Sequence, residues 1–498
     1  MKKTLILAIT LYISCNLFAG KVNKSRPNII FIFADDMGIG DVSHTTGKVP
    51  TPHLDRLAKE GMQFTDAHTS SSVCTPSRYS LLTGRYNWRT RLPFHVFSNP
   101  REKPLIKKEE KTVASLLKTV GYHTACIGKW HLGIGWQSVD GNYNGNWRID
   151  YTKPAVTPTS NGFDYFFGIC GSLDMNPQLY IEDELAVGPP SLEQQKKDRR
   201  ATGKGFEPVK CLQDFAAKSV QYIEERAKED DPFFLYLPLT SPHTPIIPSE
   251  KWLGKSGIGK YGDFLMETDW VVGEVLKALD QQQLNENTLV LFSTDNGCSP
   301  AARIGDLKSK GHSPNGHLRG HKADIYEGGH RVPFILRWPA VIKAGTKTDR
   351  LTCLTDFMPT CAEITKTKLD EASSVDGISF FTTMKKPSYV KDRTDIIHHS
   401  INGSFSIRQG NWKLALCPGS GGWSTPRAGK TPPGSPNVQL FDLENDIKET
   451  KNLQAEYPDK VNELTDLLKK YVKQGRSNKG VAQKNDRDIN IYAPDVPK

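Results

Sequence analysis

Residues Asn28–Gly38 read NIIFIFADDMG. An apolar run from Ile29 to Ala34 stops on two carboxylates, Asp35 and Asp36. A short apolar run bounded by polar residues predicts a buried strand. Three further stretches repeat the pattern: HTACIGKWHLG (His123–Gly133) reaches Lys129 and His131, FFLYLPLTSPHTP (Phe233–Pro245) reaches His243, and TLVLFSTDNG (Thr288–Gly297) reaches Asp295 and Asn296. Between them lie amphipathic segments with helical spacing, PHLDRLAKEG, TVASLLKTVG and DFLMETDWVVGEVLKAL. Strands alternating with helices predict an α/β fold, a large, mixed but mostly parallel sheet sandwiched by helices. In such sheets ligands bind where strands end, so the polar residues would converge on one edge.

The pattern changes after about residue 385. Short β-like runs, SFSIRQGNWKLAL and VQLFDLEND, precede one amphipathic helix, YPDKVNELTDLLKKYVKQG. A smaller α+β domain is expected there, an antiparallel sheet plus a helix, with a polar tail after Gly475. The expected division is a leader at 1–20, the main domain at 21–385 and the smaller one at 386–498. A chain of 498 residues with 37% hydrophobic content has ample material for a buried core. Lysine plus arginine number 65 against 55 acidic residues, a formal charge of +10 that favours anionic partners. The basic residues are spread along the chain without a nucleic-acid module, so no nucleic-acid partner is expected.

MKKTLILAITLYISCNLFAG opens with two lysines and an apolar run too short for a comfortable membrane span. It reads as an export signal cleaved near Ala19, placing the mature protein in the periplasm or outside the cell. Lipidation at Cys15 is the alternative. No later segment is long and apolar enough to span a bilayer. The nine cysteines show no compact framework and no zinc-type spacing, so one or two disulfides at most are expected.

One cysteine stands apart. In VCTPSRYSLLTGR (Val73–Arg85), Thr75 is a candidate helix cap, Pro76 suits a first turn and Gly84 a C-terminal stop. Cys74 would then sit just outside a helix N-terminus near Arg78, a place for an anion; a plain buried thiol is the competing reading. Asp35, Asp36, Asp295 and Asn296 offer three carboxylates and an amide, hard oxygen donors suited to Ca²⁺, with Mg²⁺ second. Three carboxylates on neighbouring strand ends would repel one another without a cation. Arg78, Lys129, His131, His243 and Lys322 add positive or proton-carrying groups, and together the set forms a trap for a tetrahedral oxyanion.

CTPSR followed by YSLLTGR resembles the signature of the type I sulfatases, members of the alkaline phosphatase superfamily. The resemblance extends through ADDMG, GKWHLG, SPHTP, STDNG and YEGGHRVP, in family order from Asn28 to about Pro339. It implies an alkaline phosphatase-like fold. It also implies that a formylglycine-generating or anaerobic sulfatase-maturating enzyme oxidises Cys74 to formylglycine, whose hydrate attacks the sulfur of a sulfate ester. Asp35, Asp36, Asp295 and Asn296 would hold one Ca²⁺, which also contacts the residue at position 74. Arg78 and Lys129 would stabilise the modified side chain, and Lys322 and His243 would contact the sulfate and protonate the departing alcohol. His131 would help remove a proton so that the covalent sulfate intermediate collapses.

For the alcohol, SLDMNPQLYIED and HHSINGSFSIRQGNWKL resemble bacterial carbohydrate sulfatases, which implies galactose- or N-acetylgalactosamine-type sulfates. Trp136, Trp147, the aromatic FDYFFG and the loop GHSPNGHLRGHK are the expected sugar-facing features, with His317, Arg319 and His398 as candidate contacts. Two alternatives stay open: a phosphoester hydrolase of the same superfamily, and a non-catalytic sulfated-glycan-binding protein whose Cys74 remains a thiol.

Overall fold

The computed structural model describes residues 26–144, 148–197 and 202–492. The leader, Cys15 and Trp147 lie outside the described residues. In chain order the strands are β1 (Asn28–Ala34), β2 (Met62–Phe64), β3 (Ala67–His68), β4 (His123–Lys129), β5 (Tyr165–Ile169), β6 (Ile181–Glu182), β7 (Leu185–Ala186) and β8 (Phe233–Pro238). They continue with β9 (Thr288–Thr294), β10 (Phe334–Arg337), β11 (Thr346–Thr348), β12 (Thr352–Cys353), β13 (Asp395–His399), β14 (Phe405–Gln409), β15 (Trp412–Ala415) and β16 (Gln439–Asp442). Ten of them form one sheet in the order β11-β2-β10-β9-β1-β8-β4-β5-β6-β7. The centre of that sheet, β9-β1-β8-β4-β5, is parallel throughout. The expected α/β architecture is therefore present.

Alternation along β1 shows why its sequence is almost uniformly apolar. Ile29, Phe31 and Phe33 enter one core, whereas Ile30, Ile32 and Ala34 enter the other. The first core is closed by the helices Cys74–Thr83, Val113–Lys118 and Phe357–Thr365. The second is closed by Pro52–Glu60, Cys211–Arg226 and Lys260–Gln281. A strand covered on both faces has no solvent side to carry polar residues. Each fully buried Ile or Phe contributes about 1.5–3 kcal/mol, so polar groups become affordable only where the strand leaves the sheet.

β13-β14-β15-β16 form the smaller antiparallel sheet, on which the helix Pro458–Gln474 packs through Leu464 and Leu468. This is the antiparallel sheet plus helix expected near the C-terminus.

β2 stays in the large sheet, and after it the chain leaves that sheet so that β3 pairs with β12. Several local expectations are corrected. FDYFFG forms β5 and buries Phe166 and Phe167 on opposite faces, so its aromatics are core. Trp136 is buried with its ring edge-on to Tyr151 at 4.9 Å, which takes it away from any sugar. All eight described cysteines are free, so the expected disulfides are absent among the described residues. No helix among those residues is long and apolar enough to cross a membrane.

Candidate active site

Because β9, β1, β8 and β4 are parallel neighbours, the residues following them leave the sheet on one edge. Register fixes their height, with Ala34 beside Thr294 and Phe33 beside Pro238. β10 runs antiparallel to β9, so the segment before it, which carries Lys322, arrives at the same edge. Cys74 arrives there as the first residue of the helix Cys74–Thr83, not as a residue outside it. Val73 is the N-cap, and Thr75 lies inside the first turn. The Thr75 hydroxyl donates to the His131 carbonyl (3.0 Å) and accepts from Phe97 N–H (3.2 Å), locking the helix start to the loop after β4.

The structure brings together all ten core residues predicted from sequence, and none is more than 6% exposed. Arg78 donates twice to Asp295 Oδ2, at 3.0 and 2.7 Å, and once to the Lys129 carbonyl at 3.0 Å. Lys129 Nζ lies 2.5 Å from Asp35 Oδ2 and 2.6 Å from Ser172 Oγ. Lys322 Nζ reaches both oxygens of Asp36, at 2.7 and 2.8 Å. Asn296 Nδ2 donates to Asp36 Oδ1 at 2.7 Å, and Asp36 N–H donates to Asp295 Oδ1 at 3.1 Å. Asp36 and His131 hold φ of 66° and 58°, left-handed conformations that turn the chain sharply at each strand end.

His243 Nδ1 is hydrogen-bonded to the Thr244 carbonyl at 2.5 Å, so Nδ1 carries the proton and Nε2 faces Asp36 Oδ2 at 3.6 Å. His131 Nε2 donates to the Phe97 carbonyl at 2.7 Å, which leaves its buried Nδ1 as a free acceptor. Burial, reinforced by Lys129, holds His131 well below the usual imidazole range; burial and Lys322 lower His243. Both rings are neutral near pH 7.

Against the cost of burial, Lys129 and Arg78 keep Asp35 well below the usual carboxylate range. Asp295 moves the other way, pushed up to about 7 by burial and by the charge of Asp35. Burial also raises the Cys74 thiol, more than Lys129 and Lys322 lower it, so the unmodified side chain is a thiol and not a ready nucleophile.

The donor set fits a divalent cation. Asp35 Oδ1 and Asn296 Oδ1 are buried oxygens without any hydrogen-bond partner, an expensive arrangement unless something positive sits between them. Ligand atoms of Asp35, Cys74 and Asp295 lie within 4.8 Å of one another, as do those of Asp35, Asp36 and His243. Crowded oxygen donors with a carboxylate at about 7 match a hard ion such as Ca²⁺.

The three candidate sugar contacts fare differently. His317 is exposed on its loop. Arg319 is half-buried over the Tyr326 ring, 3.8 Å from its centroid, and donates to the Glu449 carbonyl, so packing already engages it. His398 is fully buried, stacked on His330 at 3.8 Å, and cannot touch a sugar. It lies within β13, which points it inward.

Ser172 was not singled out as a site residue from the sequence, although it follows β5 in the same strand-end position as the others. Beside His131 opens a small pocket of about 20 Å³ lined by Phe97, Ser98, Asn99, Pro100, Met175 and Asn176.

Buried, crowded oxygen donors ringed by positive groups, set on the carboxyl edge of a mixed α/β sheet, fit a hydrolase of tetrahedral oxyanion esters. The family model described as Sulfatase matches residues 27–367, and the chain belongs to the sulfatase family. It is 33% identical over 514 residues to an N-acetylgalactosamine-6-O-sulfatase of Bacteroides thetaiotaomicron, covering 93% of this chain and 97% of that one. Human steryl-sulfatase is 32% identical over 439 residues, covering 75% and 72%. A solved Bacteroides thetaiotaomicron structure, described under the metabolism of multiple glycosaminoglycans, superposes with a TM-score of 0.78 at 31% identity, covering 90% of this chain and 99% of that one. The protein is a sulfuric ester hydrolase with the alkaline phosphatase-like sulfatase fold.

Proposed function

We propose that this enzyme is an exported carbohydrate sulfatase that removes sulfate from a galactose- or N-acetylgalactosamine-type sugar, using Ca²⁺ and a formylglycine made from Cys74 by a maturating enzyme. The observation that carries this reading is the setting of Cys74: a buried thiol raised by its surroundings, at a helix start, among unpartnered carboxylate and amide oxygens and the cations Lys129 and Lys322. A thiol so placed is a poor nucleophile, whereas a hydrated aldehyde supplies an oxygen nucleophile there. The match to an N-acetylgalactosamine-6-O-sulfatase over nearly the whole length of both chains supports the sugar class.

Asp35, Asp36, Asp295 and Asn296 would hold the cation, whose chemistry is to neutralise sulfate charge and lower the pKa of a bound hydroxyl. Arg78 fixes Asp295 from behind through its fork and so sets the position of that carboxylate. Lys129, held by Asp35 and Ser172, presents a fixed positive charge to the side chain at position 74. Lys322, lowered by burial but raised more by its acidic neighbours together, Asp36 foremost, stays charged and binds sulfate oxygen. His243 presents Nε2 beside Lys322; the incoming sulfate charge favours its protonated form, which delivers a proton to the leaving alcohol. His131, neutral with a free Nδ1, is the base available to take a proton from the hydroxyl at position 74 as sulfate departs. The small pocket beside His131 would mark the side from which the sugar approaches.

Sulfate release from 6-sulfated N-acetylgalactosamine, 6-sulfated galactose and matched nitrophenyl sulfate and phosphate tests this reading. Turnover of at least one sulfated sugar is expected, with sulfate far ahead of phosphate. Preference for the phosphate ester, or no release from any sulfated sugar, would contradict it.

A further inference from the structure

Behind the nucleophile loop, away from the oxyanion centre, three histidines from distant segments meet in the interior. His68 lies on β3, His330 ends the short helix Glu327–His330 and His398 lies on β13; all are essentially inaccessible. Their ring nitrogens lie within 4.8 Å of one another, which at first suggests a metal. Hydrogen-bond accounting points elsewhere. Lys413 Nζ, itself buried and paired with Glu327 (3.0 Å) and Glu449 (2.8 Å), lies 3.1 Å from His330 Nε2. An ammonium has only protons to offer, so His330 Nε2 must be the bare acceptor and its Nδ1 carries the hydrogen. That Nδ1 lies 3.0 Å from His68 Nδ1, which must therefore accept. The His68 proton is then on Nε2, where it donates to Asp66 Oδ1 at 2.8 Å. Arg408 donates to both Asp66 oxygens at 2.8 Å; its Nη1 also stands at a longer 3.4 Å from His68 Nε2, and Arg331 lies 3.3 Å from Oδ1, so the shorter bonds to Asp66 set the arrangement.

Each ring thus has one defined tautomer, and the bonds run in one direction from Lys413 through His330 and His68 to Asp66. The opposite tautomer of His330 would bond the Ile325 carbonyl, 3.1 Å away, but would set an N–H against the ammonium of Lys413. Against a metal bound to the three rings, the His330 and His398 rings are stacked within 13° of parallel, so their in-plane lone pairs do not converge. His398 instead donates from Nδ1 to the Thr69 carbonyl at 2.8 Å.

What this chain holds is the catalytic edge. Thr69 N–H donates to the His330 carbonyl at 2.8 Å, and Ala323 N–H, next to Lys322, donates to the Ser72 carbonyl at 2.8 Å. Gly297 N–H, next to Asn296, donates to the Gly329 carbonyl at 3.0 Å. A Cβ on Gly297 would sit 1.9 Å from the Gly328 carbonyl oxygen, so the two loops touch backbone to backbone. The loop before Cys74 is thus bonded to His330 itself, the loop of Asp295 and Asn296 to the neighbouring Gly329, and the segment of Lys322 to Ser72 in the loop that follows His68.

We propose that the directed chain Lys413–His330–His68–Asp66 is a positioning device: by fixing one tautomer in each ring it lets the smaller C-terminal sheet hold the nucleophile loop in register with the cation and sulfate groups. The functional arm rests on the sulfatase reading; the structural arm does not.

Neutron diffraction from the deuterated holoenzyme should place deuterons on His330 Nδ1 and His68 Nε2, with none on His330 Nε2. A deuteron on His330 Nε2, or on both nitrogens of either ring, would overturn the proposal. In kinetics on an aryl sulfate, His68→Phe keeps a ring in place but ends the chain, while Asp66 keeps its two arginines. It should lower kcat at least tenfold with KM changed less than twofold. His68→Gln, whose amide both accepts and donates, should recover most of that loss. A His68→Phe kcat within twofold of wild type, or a loss that appears in KM, would count against positioning, as would a kcat loss that His68→Gln does not recover. Should wild type itself turn over no sulfate ester, the proposed function fails and the deuteron positions alone decide the tautomer chain.

Discussion

Arg78→Lys isolates geometry from charge at the heart of the site. The guanidinium makes two charge-assisted bonds to Asp295 Oδ2, at 3.0 and 2.7 Å, and a third bond to the Lys129 carbonyl at 3.0 Å, all fully buried. A lysine ammonium carries the same charge but cannot span both acceptors, so one charged bond and the carbonyl bond are lost. With about 1.5–3 kcal/mol for the first and about 1 kcal/mol for the second, the deficit is about 2–4 kcal/mol. Spread over 498 residues at ~2.1 cal/mol/K per residue, that lowers the thermal midpoint by only about 2–4 °C. The same energy lost from the placement of Asp295 in the transition state lowers kcat/KM by about 30- to 1000-fold. Initial rates on an aryl sulfate with saturating calcium, read alongside thermal unfolding, measure both. A variant within threefold of wild-type kcat/KM would refute the claim that the fork, and not merely the charge, sets the carboxylate.

Other outcomes follow from the same contacts. Ser172→Ala removes an acceptor 2.6 Å from Lys129 Nζ and should cost about tenfold in kcat/KM, about 1.4 kcal/mol, with little change in KM. Chelation with EGTA should abolish turnover and lower the thermal midpoint, and added Ca²⁺ should restore both; ~2.7 kcal/mol is regained at a hundredfold excess over Kd. Buried His399 is pushed down from 6.5 to about 4 by burial. The unfolded chain therefore binds a proton that the folded chain refuses as pH falls from 6.5 to 4, and up to ~3.4 kcal/mol of stability present above pH 6.5 is lost across that window. His399→Gln should flatten the acid limb of a denaturant-midpoint profile by about one proton; an unchanged slope would show that His399 does not control it.

The strand ends were legible because a strand covered on both faces tolerates charge only where it exits, and parallel neighbours exit together. That single rule located Asp35, Lys129, His243 and Asp295, and applied to β5 it would also have found Ser172. His398, taken as a sugar contact on the likeness of HHSINGSFSIRQGNWKL to carbohydrate sulfatases, is buried instead because β13 belongs to a different sheet whose inner face packs against the main domain. Aromatic content did not separate core from surface: Phe166, Phe167 and Trp136 lie in sequences that look loop-like or sugar-facing, but the long-range packing that buries them is not written in local periodicity. The helix cap was misplaced by one or two residues because Thr75 uses its hydroxyl across the fold, to His131 and Phe97, and not on its own helix. The tautomers of His68 and His330 depend on Lys413, more than eighty residues away from His330 in the chain, and no local pattern encodes them.

Everything proposed for the reaction turns on the chemical state of position 74 in enzyme that is hydrolysing a sulfate ester. Mass analysis of the peptide spanning Val73–Arg85, with and without an aldehyde-reactive hydrazide, reads it directly in protein co-produced with a maturating enzyme. The account predicts that activity scales with the fraction of peptide carrying an aldehyde in place of the thiol. Full activity from protein in which Cys74 is entirely unmodified would contradict it.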